Sequence, residues 1–167
     1  LDRNRVARYV TTGVVNTSVA PPLAPHNAVV DRQNNYYYIN LIGGSRLLKF
    51  RVQDNVKVGE LATGLNSPAQ VALTITGDTA YVSNFESAKT TIAVVDTRTM
   101  TKMADIGSAS MLKPHGMSIT PDGKYVLVAN SLSDNITVIR TSDNTIVKTV
   151  PVSGTVPSLP VGYAFQF

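Results

Sequence analysis

Residues 114 to 130 read Pro114-His115-Gly116-Met117-Ser118-Ile119-Thr120-Pro121-Asp122-Gly123-Lys124-Tyr125-Val126-Leu127-Val128-Ala129-Asn130. Two apolar runs flank a short turn. Pro121 presets φ for that turn, Asp122 can bond to its own backbone, and Gly123 supplies a positive φ where the chain reverses. This is the signature of a β-hairpin. The same layout stands twice upstream. Pro25-His26-Asn27-Ala28-Val29-Val30 leads through a turn at 31–35 to Tyr37-Tyr38-Ile39-Asn40, and Pro68-Ala69-Gln70-Val71-Ala72-Leu73 leads through Thr76-Gly77-Asp78 to Tyr81-Val82-Ser83-Asn84.

The prolines lie 43 and 46 residues apart (25 to 68, 68 to 114), and Asn40, Asn84 and Asn130 recur 44 and 46 apart. After each asparagine comes a polar loop and a third strand, expected over 47–51, 91–95 and 136–140. A fourth strand follows, expected over 56–61, 102–106 and 146–150. Four short strands per period of roughly 40–50 residues define a propeller blade. One blade cannot bury both faces of its sheet, so neighbours must stack on it.

The sequence therefore predicts an all-β chain of four-stranded antiparallel blades, with complete blades over 25–62, 68–107 and 114–151. The ends keep the register. Residues 1–13 read as the outer strand of a preceding blade, and residues 160–167, with Pro160-Val161-Gly162-Tyr163-Ala164-Phe165, as the inner strand of a following one. An inner and an outer strand cannot pair without the two strands between them. The expectation is a partial ring, completed by further blades or by a protein partner.

Composition narrows the function classes. Of 167 residues, 43% are hydrophobic and 16% charged, which suits a packed domain and excludes a disordered one. The net charge of +4 comes from dispersed residues, and only Arg3, Arg5 and Arg8 cluster. No basic helix or nucleic-acid signature accompanies them, so no nucleic-acid partner is expected. With no cysteine, disulfides, thiolate catalysis and thiolate-bound metals are excluded. No apolar run reaches the roughly 18 residues of a membrane span.

Tyr81-Val82-Ser83-Asn84, with the 114–130 stretch and the Ser133-Asp134-Asn135-Ile136-Thr137-Val138-Ile139 that follows, resembles the YVTN family of β-propeller repeats. The first blade departs from that pattern at Tyr36-Tyr37-Tyr38-Ile39-Asn40 and Gly43-Gly44. The resemblance implies a seven-bladed ring of an exported or surface-layer protein, hence an extracytoplasmic location in the periplasm or at the cell surface. Related propellers include lactonase-like proteins and haem- or copper-binding redox subunits. The motif itself is structural and names a fold with many functions.

Candidate site residues follow from breaks in the repeat. His26 and His115 are the only histidines, both just after the repeat proline, where side chains can approach the central channel. Imidazole there suits a metal, a haem or general-base work. Two histidines two blades apart make no full copper cage, so no metal and no cofactor are expected. Ile42, Arg46, Phe85 and Glu86 lie in or beside loops that break the symmetry, and such loops carry recognition. Asn40, Asn84, Asn130 and Gly123 read as structural markers. No nucleophile elbow, phosphate loop or carboxylate pair is present, so no catalytic residue is assigned. The expected function is a non-enzymatic recognition or scaffolding propeller that binds a protein through its face loops. The alternatives are a redox subunit with haem or copper at the channel, or a lactonase-like hydrolase.

Overall fold

The computed structural model describes residues 23–86 and 88–152. The strands expected at 1–13 and 160–167 lie outside the described residues. Every element in the described part is a β-strand. No helix among these residues is long and apolar enough to cross a membrane.

The first blade holds β1 (Pro25–Val30), β2 (Tyr36–Leu41), β3 (Arg46–Arg51) and β4 (Lys57–Leu61). The second holds β5 (Pro68–Leu73), β6 (Thr79–Asn84), β7 (Thr91–Asp96) and β8 (Thr101–Gly107). The third holds β9 (Pro114–Ile119), β10 (Tyr125–Asn130), β11 (Asn135–Arg140) and β12 (Thr145–Pro151). Each forms a separate antiparallel sheet in sequence order. The first strands of the three blades stand side by side, β1 against β5 and β5 against β9. They line the inner edge of the stack, where a propeller has its channel.

Apolar side chains between blades hold the stack together. Tyr38, Leu47 and Leu61 of the first blade pack on Val71, Leu73, Ala80, Val82, Ala93, Val95 and Met100 of the second. On the far face of that sheet, Ala72, Tyr81, Ile92, Val94 and Ile106 meet Val126, Val128 and Ile139 of the third. Alternation along each strand gives one sheet two buried faces, because successive side chains point to opposite sides. Tyr81 carries a polar tip into this contact, and its hydroxyl donates to Asn144 Oδ1 at 2.7 Å.

Register corrects one sequence marker. Pro25 pairs with Leu41, whereas Pro68 pairs with Asn84 and Pro114 with Asn130. Leu41, not Asn40, therefore occupies the repeat-asparagine position in the first blade. Asn40 is the counterpart of Ser83. Each accepts a backbone N–H from the inner strand at its bulge, Asn40 Oδ1 from Asn27 at 3.0 Å and Ser83 Oγ from Gln70 at 2.9 Å. A side chain one atom group longer does the same work one residue earlier than the sequence pattern implies.

The true repeat asparagines are buried, and their bonds differ. Asn84 Oδ1 accepts the Asn66 N–H at 2.9 Å, tying the connection between blades to the end of β6. Asn130 donates through Nδ2 to Asn135 Oδ1 and Thr137 Oγ1, at 2.7 and 2.8 Å. Its Oδ1 has no partner among the described residues. Gly123 and Gly77 take positive φ in their turns, at +71 and +74, and Asn34 takes the left-handed region in the first blade.

Candidate functional site at the channel mouth

One end of the stack carries the connections between blades and the loops after the second strands. There the residue before each inner-strand proline is left-handed: Ala24 (φ 45), Ser67 (φ 47) and Lys113 (φ 54). Proline disfavours the right-handed helical region for its predecessor, and here the chain turns the other way. The carbonyl of each of these three accepts a backbone N–H from the residue after the second strand: Ile42 at 2.9 Å, Phe85 at 3.2 Å and Ser131 at 3.2 Å. Nothing in the sequence pattern announces this, because the three residues share no chemistry. Repetition across all blades makes it a scaffold feature that fixes where Phe85 and Lys113 project.

On that scaffold His26, Phe85, Lys113 and His115 converge. The rings of His26 and His115 stand 5.6 Å apart and nearly perpendicular, at 86°. Phe85 lies edge-on to His115 with centroids 4.4 Å apart. The Lys113 ammonium sits 4.3 Å above the centre of the Phe85 ring, within cation–π range. His26 and His115 occupy matching positions two blades apart. The matching residue of the blade between them is Ala69, small and fully buried.

The two imidazoles differ in their surroundings. His26 Nδ1–H donates to the Ala69 carbonyl at 2.8 Å. A carbonyl can only accept, so in neutral His26 the lone pair is on Nε2. His115 is half-buried, and burial pushes its pKa below the ordinary imidazole value, with the neighbouring His26 and the Lys113 charge adding to the effect. It thus favours the neutral form, with a free ring nitrogen.

The remaining sequence candidates stand elsewhere. Arg46, at the start of β3, is exposed and paired with Glu60 at 2.7 Å, which also holds Lys57 at 2.8 Å. Ile42 is the first-blade counterpart of Phe85 in the scaffold bond to Ala24. Glu86 is exposed, and its carbonyl closes the loop by accepting the Lys89 N–H. Lys113 was missed by sequence reading. Its signal was its place directly before the repeat proline, beside one of the two histidines.

Below the mouth, the three inner strands line a cavity of about 480 Å³ walled by Asn27, Gln70, Val71, Met117, Ser118 and neighbouring residues. None of His26, Phe85, Lys113 or His115 lines it. The imidazole cluster therefore belongs to the rim, and the cavity to the channel beneath. Asn27 separates the two, with its Oδ1 accepting the Val71 N–H at 3.2 Å.

The arrangement is that of known propellers. None of the curated proteins matches the chain closely enough to count as a relative. Among solved structures it is similar to Kuenenia stuttgartiensis hydrazine synthase, with 26% identity and a TM-score of 0.69 over 81% of this chain and 38% of that one. It is also similar to a candidate 6-phosphogluconolactonase from Bacteroides fragilis, with 23% identity and a TM-score of 0.69 over 81% of this chain and 41% of that one. A third likeness is to a candidate 6-phosphogluconolactonase from Bacteroides uniformis, with 20% identity and a TM-score of 0.66 over 77% of this chain and 41% of that one. The chain thus spans about two fifths of the length of each. The profile of the family described as lactonase, 7-bladed beta-propeller, matches residues 48–155, from β3 through the whole third blade. With that match over more than half its length, the chain belongs to the seven-bladed β-propeller lactonase family.

Proposed function

We propose that the chain contributes three blades to a propeller that hydrolyses small cyclic esters at the channel mouth. Family membership raises this reading above the scaffold expected from the repeat alone. The observation that carries it is the meeting of two imidazoles, an ammonium and a phenyl ring at one rim. Hydrolysis of a lactone needs an acceptor for the proton of the attacking water. The water oxygen bonds to the carbonyl carbon, the ring C–O bond breaks, and the proton passes to the leaving alkoxide to give a hydroxy acid. In this reading His115 takes and returns that proton, and His26 orients the water through its free nitrogen. The Lys113 ammonium stabilises the negative charge that develops on the carbonyl oxygen.

The test is turnover of five- and six-membered lactones by the purified protein, followed by acid release. Replacing His115 by Ala should lower kcat/KM by about 10²–10⁴-fold, the range for a lost general base. A wild-type rate equal to buffer across the panel would sink the hydrolytic reading.

A second reading has its own observation. Leu112 and Leu132 lie on the same face, 38% and 54% exposed, joined by the Leu132 N–H to the Leu112 carbonyl at 3.2 Å. Exposed apolar side chains beside a charged rim suit recognition of a protein partner without chemistry. Substituting both by Ser would abolish capture of such a partner and leave lactone turnover intact. Export to the periplasm or cell surface belongs to either reading, and fractionation of the native host cells tests it.

A further inference from the structure

We propose that His26 and His115 together form a binding site for a late first-row divalent ion, copper(II) foremost, at the channel mouth. The inference draws on the same ring nitrogens as the hydrolytic reading, so a bound ion and proton transfer exclude one another, and it is read without substrate.

Three observations support it. The first is distance. Two imidazoles that share one ion through bonds of about 2.1 Å set their ring centres roughly 5–6 Å apart, depending on the angle at the metal. His26 and His115 stand 5.6 Å apart with planes at 86°. The second is the bond behind His26. Imidazoles that bind metals donate their other N–H to a carbonyl or carboxylate, which fixes the tautomer and strengthens the ligand. His26 Nδ1–H already donates to Ala69 O at 2.8 Å. The third is the residue between them in the repeat. Ala69, at the matching position of the second blade, is small and buried.

The donor set names the ion class. Imidazole nitrogen suits copper, nickel and zinc, and affinity for such sites peaks at copper(II). Among the described residues no group of three or more His, Asp or Glu side chains is placed to hold a metal. Water completes the coordination, and a two-nitrogen site with open positions results. The sequence alone argued against this, because two histidines make no full copper cage. The inner strands stand side by side, β1 against β5 and β5 against β9, and the two imidazoles come within 5.6 Å.

Lys113 gives the proposal a directional test. Its ammonium, held over Phe85, lies beside His115 and opposes a second positive charge there. Lys113→Gln should therefore tighten copper(II) binding a few-fold, which adsorption at scattered surface groups would not show.

The experiment is copper(II) titration of the full chain, followed by electron paramagnetic resonance and by calorimetry. One ion per chain with nitrogen hyperfine structure from two imidazoles is expected. His26→Gln keeps a donor for Ala69 O while removing the metal ligand, and His115→Gln removes the other. Each should weaken binding by about tenfold or more, and the double variant should lose little beyond either single one, since one ion needs both rings. Melting of the metal-free variants reports whether they fold. Copper(II) binding by the folded double variant equal to wild type would overturn the site. So would two ions per chain, each lost with one of the two histidines. Lactone turnover plays no part in these readouts, so failure of the hydrolytic reading leaves this result standing.

Discussion

Gly123 and Gly77 share one turn position and one backbone conformation, yet they are not equally replaceable. A Cβ on Gly123 would come within 2.6 Å of Ile75 Cδ1 and 2.9 Å of Ile75 Cγ1, whereas a Cβ on Gly77 meets nothing closer than 3.4 Å. Gly77→Ala should cost about 1–2 kcal/mol, the penalty of the left-handed region for an L-residue. Gly123→Ala should cost more, because Ile75 must also shift, and urea unfolding of the two variants compares them directly. Asn40 and Ser83 give a second contrast. Ser83→Ala leaves one inner-strand N–H without its acceptor. Asn40→Ala removes that acceptor and also the 2.7 Å bond from Nδ2 to the Pro68 carbonyl in the next blade. The expected losses are about 1 and about 2 kcal/mol, at roughly one per net hydrogen bond. Equal losses would show that Pro68 finds another donor.

The hairpin turns are where charge matters most. Asp78 accepts hydroxyl bonds from Thr76 at 2.8 Å and Thr74 at 2.9 Å. These bonds, with Thr79 and the more distant Arg98 helping and partial burial opposing, hold its pKa below the ordinary carboxylate value. A depressed folded pKa means that the stabilisation is present above the unfolded value, about 3.9, and is lost as pH falls through the folded one. Thermal melts should therefore lose stability below about pH 4, and Asp78→Asn should flatten that part of the curve while lowering Tm at pH 7. Asp122 and Asp143 occupy turns of the third blade and are depressed in the same direction, led by bonds from Thr120 and Thr145 respectively. The exposed ion pairs contribute little by comparison. Arg51 with Asp54 and Arg140 with Asp143 join residues three apart on solvent-facing turns, at 2.8 and 3.0 Å. Pairs of this kind give about 0–1 kcal/mol and weaken in salt, so 1 M sodium chloride should move Tm little.

Stacking decides the stability of the whole. Val126, Val128 and Ile139 are fully buried against the second blade. Ile139→Ala should cost about 2–5 kcal/mol as a cavity at that contact. Tyr81→Phe, which removes only the bond to Asn144, should cost about 1 kcal/mol. In a stacked repeat such losses fall on the nearest interface. Hydrogen exchange of Ile139→Ala should therefore quicken first in β9–β12, with β1–β4 still protected, and uniform loss across all blades would contradict that picture. Much of this was legible beforehand. Four strands per repeat, the turns at Gly77 and Gly123 and the proline at each inner-strand start follow from local chemistry, since alternation and turn residues act over a few neighbours. Asn40 was misplaced by one position, because a sequence pattern cannot distinguish an asparagine from the serine that does its work. His26, His115 and Phe85 were legible as candidates, one by one. Their meeting with Lys113 was not. It depends on inner strands standing side by side and on three left-handed residues of unrelated type. The sequence by itself determined that the chain builds antiparallel blades. Only the packing of blade on blade decided which side chains share the channel mouth, because that contact joins residues tens of positions apart and no local pattern encodes it.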